Sequence, residues 1–172
     1  MNQKTIITIL GIVIIILIGA TIYFAIINKS TPVDETASWQ VYSNAKLGFE
    51  MKYPKDWKTM PLGYDFQGVS LSKDGNKSIF TVVYYKSVSD ISGSQTVKSF
   101  DELKKDPLYK NVKEINFLEN KALSVTFVNL AINLSETIIF VSKNNAVYKI
   151  SYDDNDATDV SKQILTTFKF TK

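Results

Sequence analysis

Two hydropathy patterns divide the chain. Residues 5–27 form a run without a single charge, dominated by Ile, Val and Leu. Rising about 1.5 Å per residue as a helix, this run spans about 34 Å, enough to cross a hydrocarbon core once. A cleaved signal peptide has a shorter apolar stretch that ends in a small-x-small site. Here the apolar residues continue past Ala20 through Ile22, Tyr23, Phe24 and Ile27. The pattern predicts a retained single-pass anchor. Residues 28–38, with Pro32, Asp34 and Glu35, are polar and predict a linker with an extended reach of at most about 35 Å.

From residue 39 onward the pattern becomes one of alternation. Residues 39–42 predict a first strand and 44–48 a turn. Phe49, Met51 and Tyr53 then fall on one face and Glu50 and Lys52 on the other, the period of a half-buried strand. Val69 and Leu71 mark a short strand, and Asp74, Gly75 and Asn76 turn the chain into residues 79–85. That stretch is apolar on both faces, as in a strand covered on both sides. Ser99 and Glu102 make a capping box for a short helix carrying Phe100 and Leu103, and Pro107 ends it. Further strands are predicted over 112–118, 122–130, 136–142 and 146–152, with Glu119-Asn120 and Asn144-Asn145 as turn signals. The acidic run 153–159 introduces a final helix with Val160, Ile164, Leu165 and Phe168 on one face. This order predicts an α+β fold, a mainly antiparallel β-sheet flanked by helices, behind one N-terminal transmembrane helix.

Charge sets the expected orientation. Lys4 and the amino terminus stand on one side of the apolar run, against Lys29 followed by Asp34 and Glu35 on the other. The positive-inside rule then gives residues 1–4 in the cytoplasm, an anchor over 5–27, a linker over 28–38 and an extracytoplasmic domain over 39–172. So short an inner segment excludes a transmembrane receptor that signals through a cytoplasmic domain. A type IV pilin is excluded too, because the apolar run has neither a processing site nor an early glutamate.

Composition narrows the chemistry. Of 20 basic and 17 acidic residues, Lys4 and Lys29 flank the anchor, which leaves 18 basic against 17 acidic residues in the domain. Every basic residue is lysine. Arginine reads guanine edges and grips phosphate with two parallel bonds, so nucleic-acid binding is not expected. The absence of cysteine excludes disulfides and a lipid-acylation site. The absence of histidine removes the commonest metal ligand and the one side chain that titrates near neutrality unaided. No cofactor is expected, and the domain is expected to be non-catalytic. Asp153, Asp154, Asp156 and Asp159 suggest calcium, but a calcium loop needs glycine at its sixth position and glutamate at its twelfth. Counting from Asp154, those positions hold Asp159 and Leu165; the run reads as a turn and a helix start.

Aromatic residues supply the remaining candidates. Trp57, Tyr64 and Phe66 gather with Pro61 in a segment predicted to be irregular. Such residues serve both cores and interfaces. Trp57, Tyr64 and Phe66 are therefore the candidate partner-binding residues, together with the crossover over 91–108.

Several of these residues also form a pattern. Trp39-x-x-Tyr42, Gly48-Phe49, Tyr53-Pro54-x-x-Trp57 and the closing Thr167-Phe168-x-Phe170 resemble the PsbP-like family, over roughly residues 39–170. The resemblance implies an antiparallel sheet sandwiched by helices. It also implies a non-enzymatic, partner-binding module related to the extrinsic PsbP subunit of photosystem II. Many bacterial relatives are held outside the membrane by a lipid or an N-terminal helix. This chain departs from plant members in lacking histidine for the metal contacts discussed for them, and the resemblance assigns no functional residue. The expectation is an anchored module that serves an envelope protein partner as an accessory or assembly factor. The alternative is a carrier holding a small apolar ligand or lipid in a cavity between sheet and helix.

Overall fold

Alternation at Phe49, Met51 and Tyr53 produces the predicted strand, and all three side chains are buried. A computed structural model of the chain describes residues 2, 23, 34–63, 65–91, 99–156 and 158–171. The chain divides into Met1–Glu35 and Thr36–Lys172. Apart from Tyr23, the expected anchor lies outside the described residues. Among the described residues no helix is long and apolar enough to cross a membrane.

The second unit contains two antiparallel sheets. β1 (Gln40–Asn44), β2 (Phe49–Tyr53) and β10 (Lys169–Phe170) form a small sheet in the order β1-β2-β10. The larger sheet contains β3 (Lys58–Pro61), β4 (Gln67–Ser72), β5 (Phe80–Tyr85), β6 (Tyr109–Phe117), β7 (Asn120–Asn129), β8 (Leu134–Lys143) and β9 (Ala146–Asp153). Their spatial order is β3-β4-β5-β9-β8-β7-β6. β5 lies between β4 and β9; on one face Phe80 and Val82 join the main core, and on the other Val83 is buried and Tyr85 packs against a second cluster, which accounts for its two apolar faces. Helices are few: α1 (Phe100–Leu103) follows a 3-10 turn at Val88–Asp90, and α2 (Thr158–Thr167) precedes β10.

One core lies between the small sheet, α2 and the nearer face of the large sheet. Phe49, Met51, Leu71, Phe80, Val82, Ile150, Ile164 and Phe168 are all buried there. Phe49 stacks on Phe168 with ring centroids 5.4 Å apart, and the Tyr148 hydroxyl donates to the Leu47 carbonyl at 2.7 Å. Thr167 Oγ1 accepts from the Lys52 amide at 2.9 Å, which ties the end of α2 to β2. A second, smaller cluster on the opposite face joins Leu103 of α1 to Leu123, Val125, Ile138, Phe140 and Val147. Ser99 caps α1 as the sequence predicts, its hydroxyl accepting from the Glu102 amide at 3.2 Å.

Four details depart from the sequence reading. The strands form two sheets: β2 pairs with β1 and, on its other edge, with the returning Thr167-Phe168-x-Phe170 ending, and neither β1 nor β2 joins the large sheet. Residues 58–61, predicted as irregular, form edge strand β3; its pattern is mostly exposed and gives no periodic signal, and an edge tolerates Pro61. The β6–β7 turn is Leu118-Glu119, one residue earlier than predicted, with φ of 49° and 65°. The Asn120 side chain supports it by donating to the Leu118 carbonyl at 2.5 Å. β6 begins at Tyr109, before its predicted start, and an irregularity between Lys110 and Lys113 interrupts the alternation there. Gly68 is required in β4: at φ 153° a Cβ would stand 1.9 Å from the Val82 carbonyl oxygen.

Candidate functional site

The three aromatic candidates have separate placements. Trp57 is 5% exposed and belongs to the main core, where its carbonyl accepts from Gln40 Nε2 at 3.3 Å. It supports the surface from beneath. Tyr64 lies outside the described residues. Phe66 is 54% exposed, at the end of a turn closed by its amide donating to the Gly63 carbonyl at 2.9 Å.

Phe66 lines an open cleft of about 340 Å³ with Gln67, Tyr84 and Tyr85, and with Asp65, Lys86 and Asp90 at the charged positions. Strand register builds this arrangement, since Gln67 pairs with Tyr84 at the end of β4 and β5. Tyr84 packs edge-on against Tyr148, centroids 5.4 Å apart, which fixes that wall to the core. Burial pushes the Tyr85 hydroxyl above its ordinary pKa. Tyr84 and Tyr85 are consecutive on β5 and face opposite sides of the sheet, so the Tyr84 ring packs with the main core and Tyr85 with the opposite cluster, while two carboxylates, Asp65 and Asp90, and Lys86 stand at the cleft.

Asp90, just before the crossover, lies at the edge of this cleft, and α1 borders a second cleft, of about 290 Å³, lined by Phe100, Lys104, Glu114, Ile115 and Leu123 among others. Lys104 bridges Asp101 at 2.8 Å and also pairs with Glu114. The paired lysine holds the Asp101 carboxyl below its usual range, while the two carboxylates raise Lys104. These walls combine apolar surface with charge.

The acidic run is engaged by protein donors. Asp153 is buried and pairs with Lys77 at 2.6 Å, and Lys77 also reaches Asp156 at 3.6 Å. Asp154 accepts from Ser135 at 3.1 Å and from Thr137 at 2.7 Å. Among the described residues no group of three or more metal-ligating side chains is placed to hold an ion.

Two charged residues on the crossover face were missed by sequence reading. Burial lowers the Lys149 amine, opposed by Glu136, and burial raises the Glu136 carboxyl, opposed first by Lys149. Alternation carried the signal, because Glu136 shares parity with buried Ile138 and Phe140, and Lys149 with buried Val147 and Ser151.

No protein-family model matches the chain, and no curated protein does. Among solved structures it is similar to cyanobacterial PsbP (CyanoP) from Synechocystis sp. PCC 6803, with a TM-score of 0.52 at 14% identity, over 83% of this chain and 98% of that one. The fold is PsbP-like. A protein from Bacteroides thetaiotaomicron also matches, with a TM-score of 0.45 at 13% identity, over 72% of this chain and 45% of that one. Within the PsbP-like fold of this chain, both clefts are walled in part by the connection between β5 and β6.

Proposed function

We propose that the protein is a non-catalytic binding module, held by residues 5–27 in the cell membrane with its folded domain outside the cytoplasm. In this reading it serves an envelope protein as an accessory or assembly factor. The observation that carries the binding role is the Phe66 cleft: an exposed ring at the edge of β4 and β5, strands that Tyr84 locks into the core. Interfaces draw on such aromatic anchors more than on total area. The anchor rests on the uncharged run and on the charges flanking it.

The test is photocrosslinking of the full-length protein in native membranes, with a photoreactive residue replacing Phe66. Capture of a reproducible envelope protein at position 66, and not from an exposed position such as Lys162, supports the reading. Capture of nothing specific at position 66 contradicts it.

The cleft beside α1 favours a second reading, as a carrier of a small ligand, because Phe100, Ile115 and Leu123 offer apolar surface within about 290 Å³. Recovery of a lipid or small molecule with the purified full-length chain, lost on substituting Phe100, would support it.

A further inference from the structure

The β7–β8 connection is an apolar point. Leu130 is 88% exposed and Ile132 67% exposed, and Val128 beside them is also exposed. Leu108, 61% exposed, directly precedes Tyr109, which pairs with Phe127 of β7, so it reaches the same end of the sheet. Exposed aliphatic residues clustered at one projecting turn are costly in water and mark a contact surface.

The turn is held in shape from within. Residues Leu130–Ile132 form a 3-10 turn whose Asn129 side chain accepts from the Ala131 amide at 3.1 Å. Asn133 adopts φ 50°, and its carbonyl accepts from Asn155 Nδ2 at 3.1 Å. The Asp154 amide donates to the Ser135 carbonyl at 2.8 Å. The apolar side chains are thus displayed on a braced hairpin.

The same end of the sheet receives the chain from its N-terminal side. Gln40 Nε2 donates to the carbonyls of Pro54, Lys55 and Trp57. Trp57 directly precedes β3, whose first residue, Lys58, pairs with Ser72 at the end of β4. Following the register through β5 and β9 to β8, this end is also where the β7–β8 turn lies. Four strand spacings separate β3 from β8, roughly 19 Å. The nine residues from Ile27 to Thr36 reach at most about 32 Å.

We propose that the Val128–Ile132 turn dips into the lipid interface of the membrane that holds the chain, so that the domain stands on this end of its large sheet. This rests on the anchor reading. The apolar side chains would leave water for the acyl boundary, as amphipathic interfacial segments do. Beside the turn one lysine, Lys77, pairs with two carboxylates, Asp153 and Asp156, and Asp154 bonds to Ser135, so the turn would enter the interface through its apolar side chains and not through attraction to anionic lipid.

The chain has no cysteine, so Leu130→Cys and Ser89→Cys each create one labelling site, at the turn and at the exposed connection beyond the opposite end of β5. Full-length protein carrying an environment-sensitive fluorophore is reconstituted into phosphatidylcholine vesicles, with and without spin-labelled lipid, and floated. The proposal expects co-flotation, a blue shift at position 130 and loss of most of its emission to the spin-labelled lipid, with little change at position 89. If the chain co-floats and position 130 remains water-exposed, the inserted turn is wrong and the anchor stands. A dry probe that spin-labelled lipid does not quench places a protein, such as a second copy, on the turn and overturns the proposal. If the chain does not co-float, the anchor reading fails and this inference fails with it.

Discussion

On the face of the large sheet that meets β2 and α2, β4 contributes Val69 and Leu71, β5 Phe80 and Val82, β9 Ile150 and Tyr152, and β8 Ile139 and Val141, all buried. On the opposite face the same strands carry Ser70, Ser72, Thr81, Lys149, Ser151 and Glu136 alongside buried Val83, and the apolar cluster beneath Leu103 is centred on β7, β8 and β9. Among the described residues, the first face is closed by a ten-residue helix and a second sheet, the other in part by the one-turn helix α1. A face packed throughout with hydrocarbon fixes the fold. A face that retains polar groups leaves room for clefts, and both clefts border the connection between β5 and β6.

That contrast predicts a graded series of effects. Phe168→Ala empties a fully buried ring site against Phe49 and should cost about 3–5 kcal/mol, measured by chemical denaturation of the full-length protein; a loss below about 1 kcal/mol would show that the first face is not the cohesive one. Leu103→Ala, on the opposite face, should cost about 2–3 kcal/mol, because a one-turn helix can settle into part of the space. Hydrogen exchange should show that loss around α1 before β5 and β9 are affected. Ser99→Ala removes the α1 cap and should cost about 1 kcal/mol, again confined to α1.

The pH response sharpens the comparison further. Burial raises the Glu136 carboxyl above its ordinary 4.5, so the folded state holds that proton more tightly than the unfolded chain does. The resulting contribution is complete below 4.5 and is lost as pH rises through the folded value. Glu136→Gln should flatten this part of the stability profile and leave the main core unchanged. A profile identical to wild type would mean that Glu136 is solvated.

Periodic apolar residues made most of the fold legible. Phe49, Met51 and Tyr53 announced β2, Asn144 and Asn145 announced a two-residue hairpin, and Ser99 with Glu102 announced α1. Elements without periodicity were hidden: β3 is a mostly exposed edge, and the Leu118-Glu119 turn uses residues that do not signal positive φ. The candidate site was legible only as aromatic density. Sequence grouped Trp57 with Phe66, but strand pairing turned Trp57 into the core and left Phe66 exposed at a cleft. Such a separation depends on long-range register, which local patterns do not encode.

In the proposed function the exposed Phe66 ring makes the contact with the partner while the packed face only supports it. The direct measurement is co-purification of the position-66 crosslinked partner with full-length wild-type and Phe66→Ala protein from solubilised membranes, alongside thermal melts of both. The account predicts an unchanged melt and a lost partner for Phe66→Ala. An unchanged melt with the partner retained at the wild-type level would contradict it.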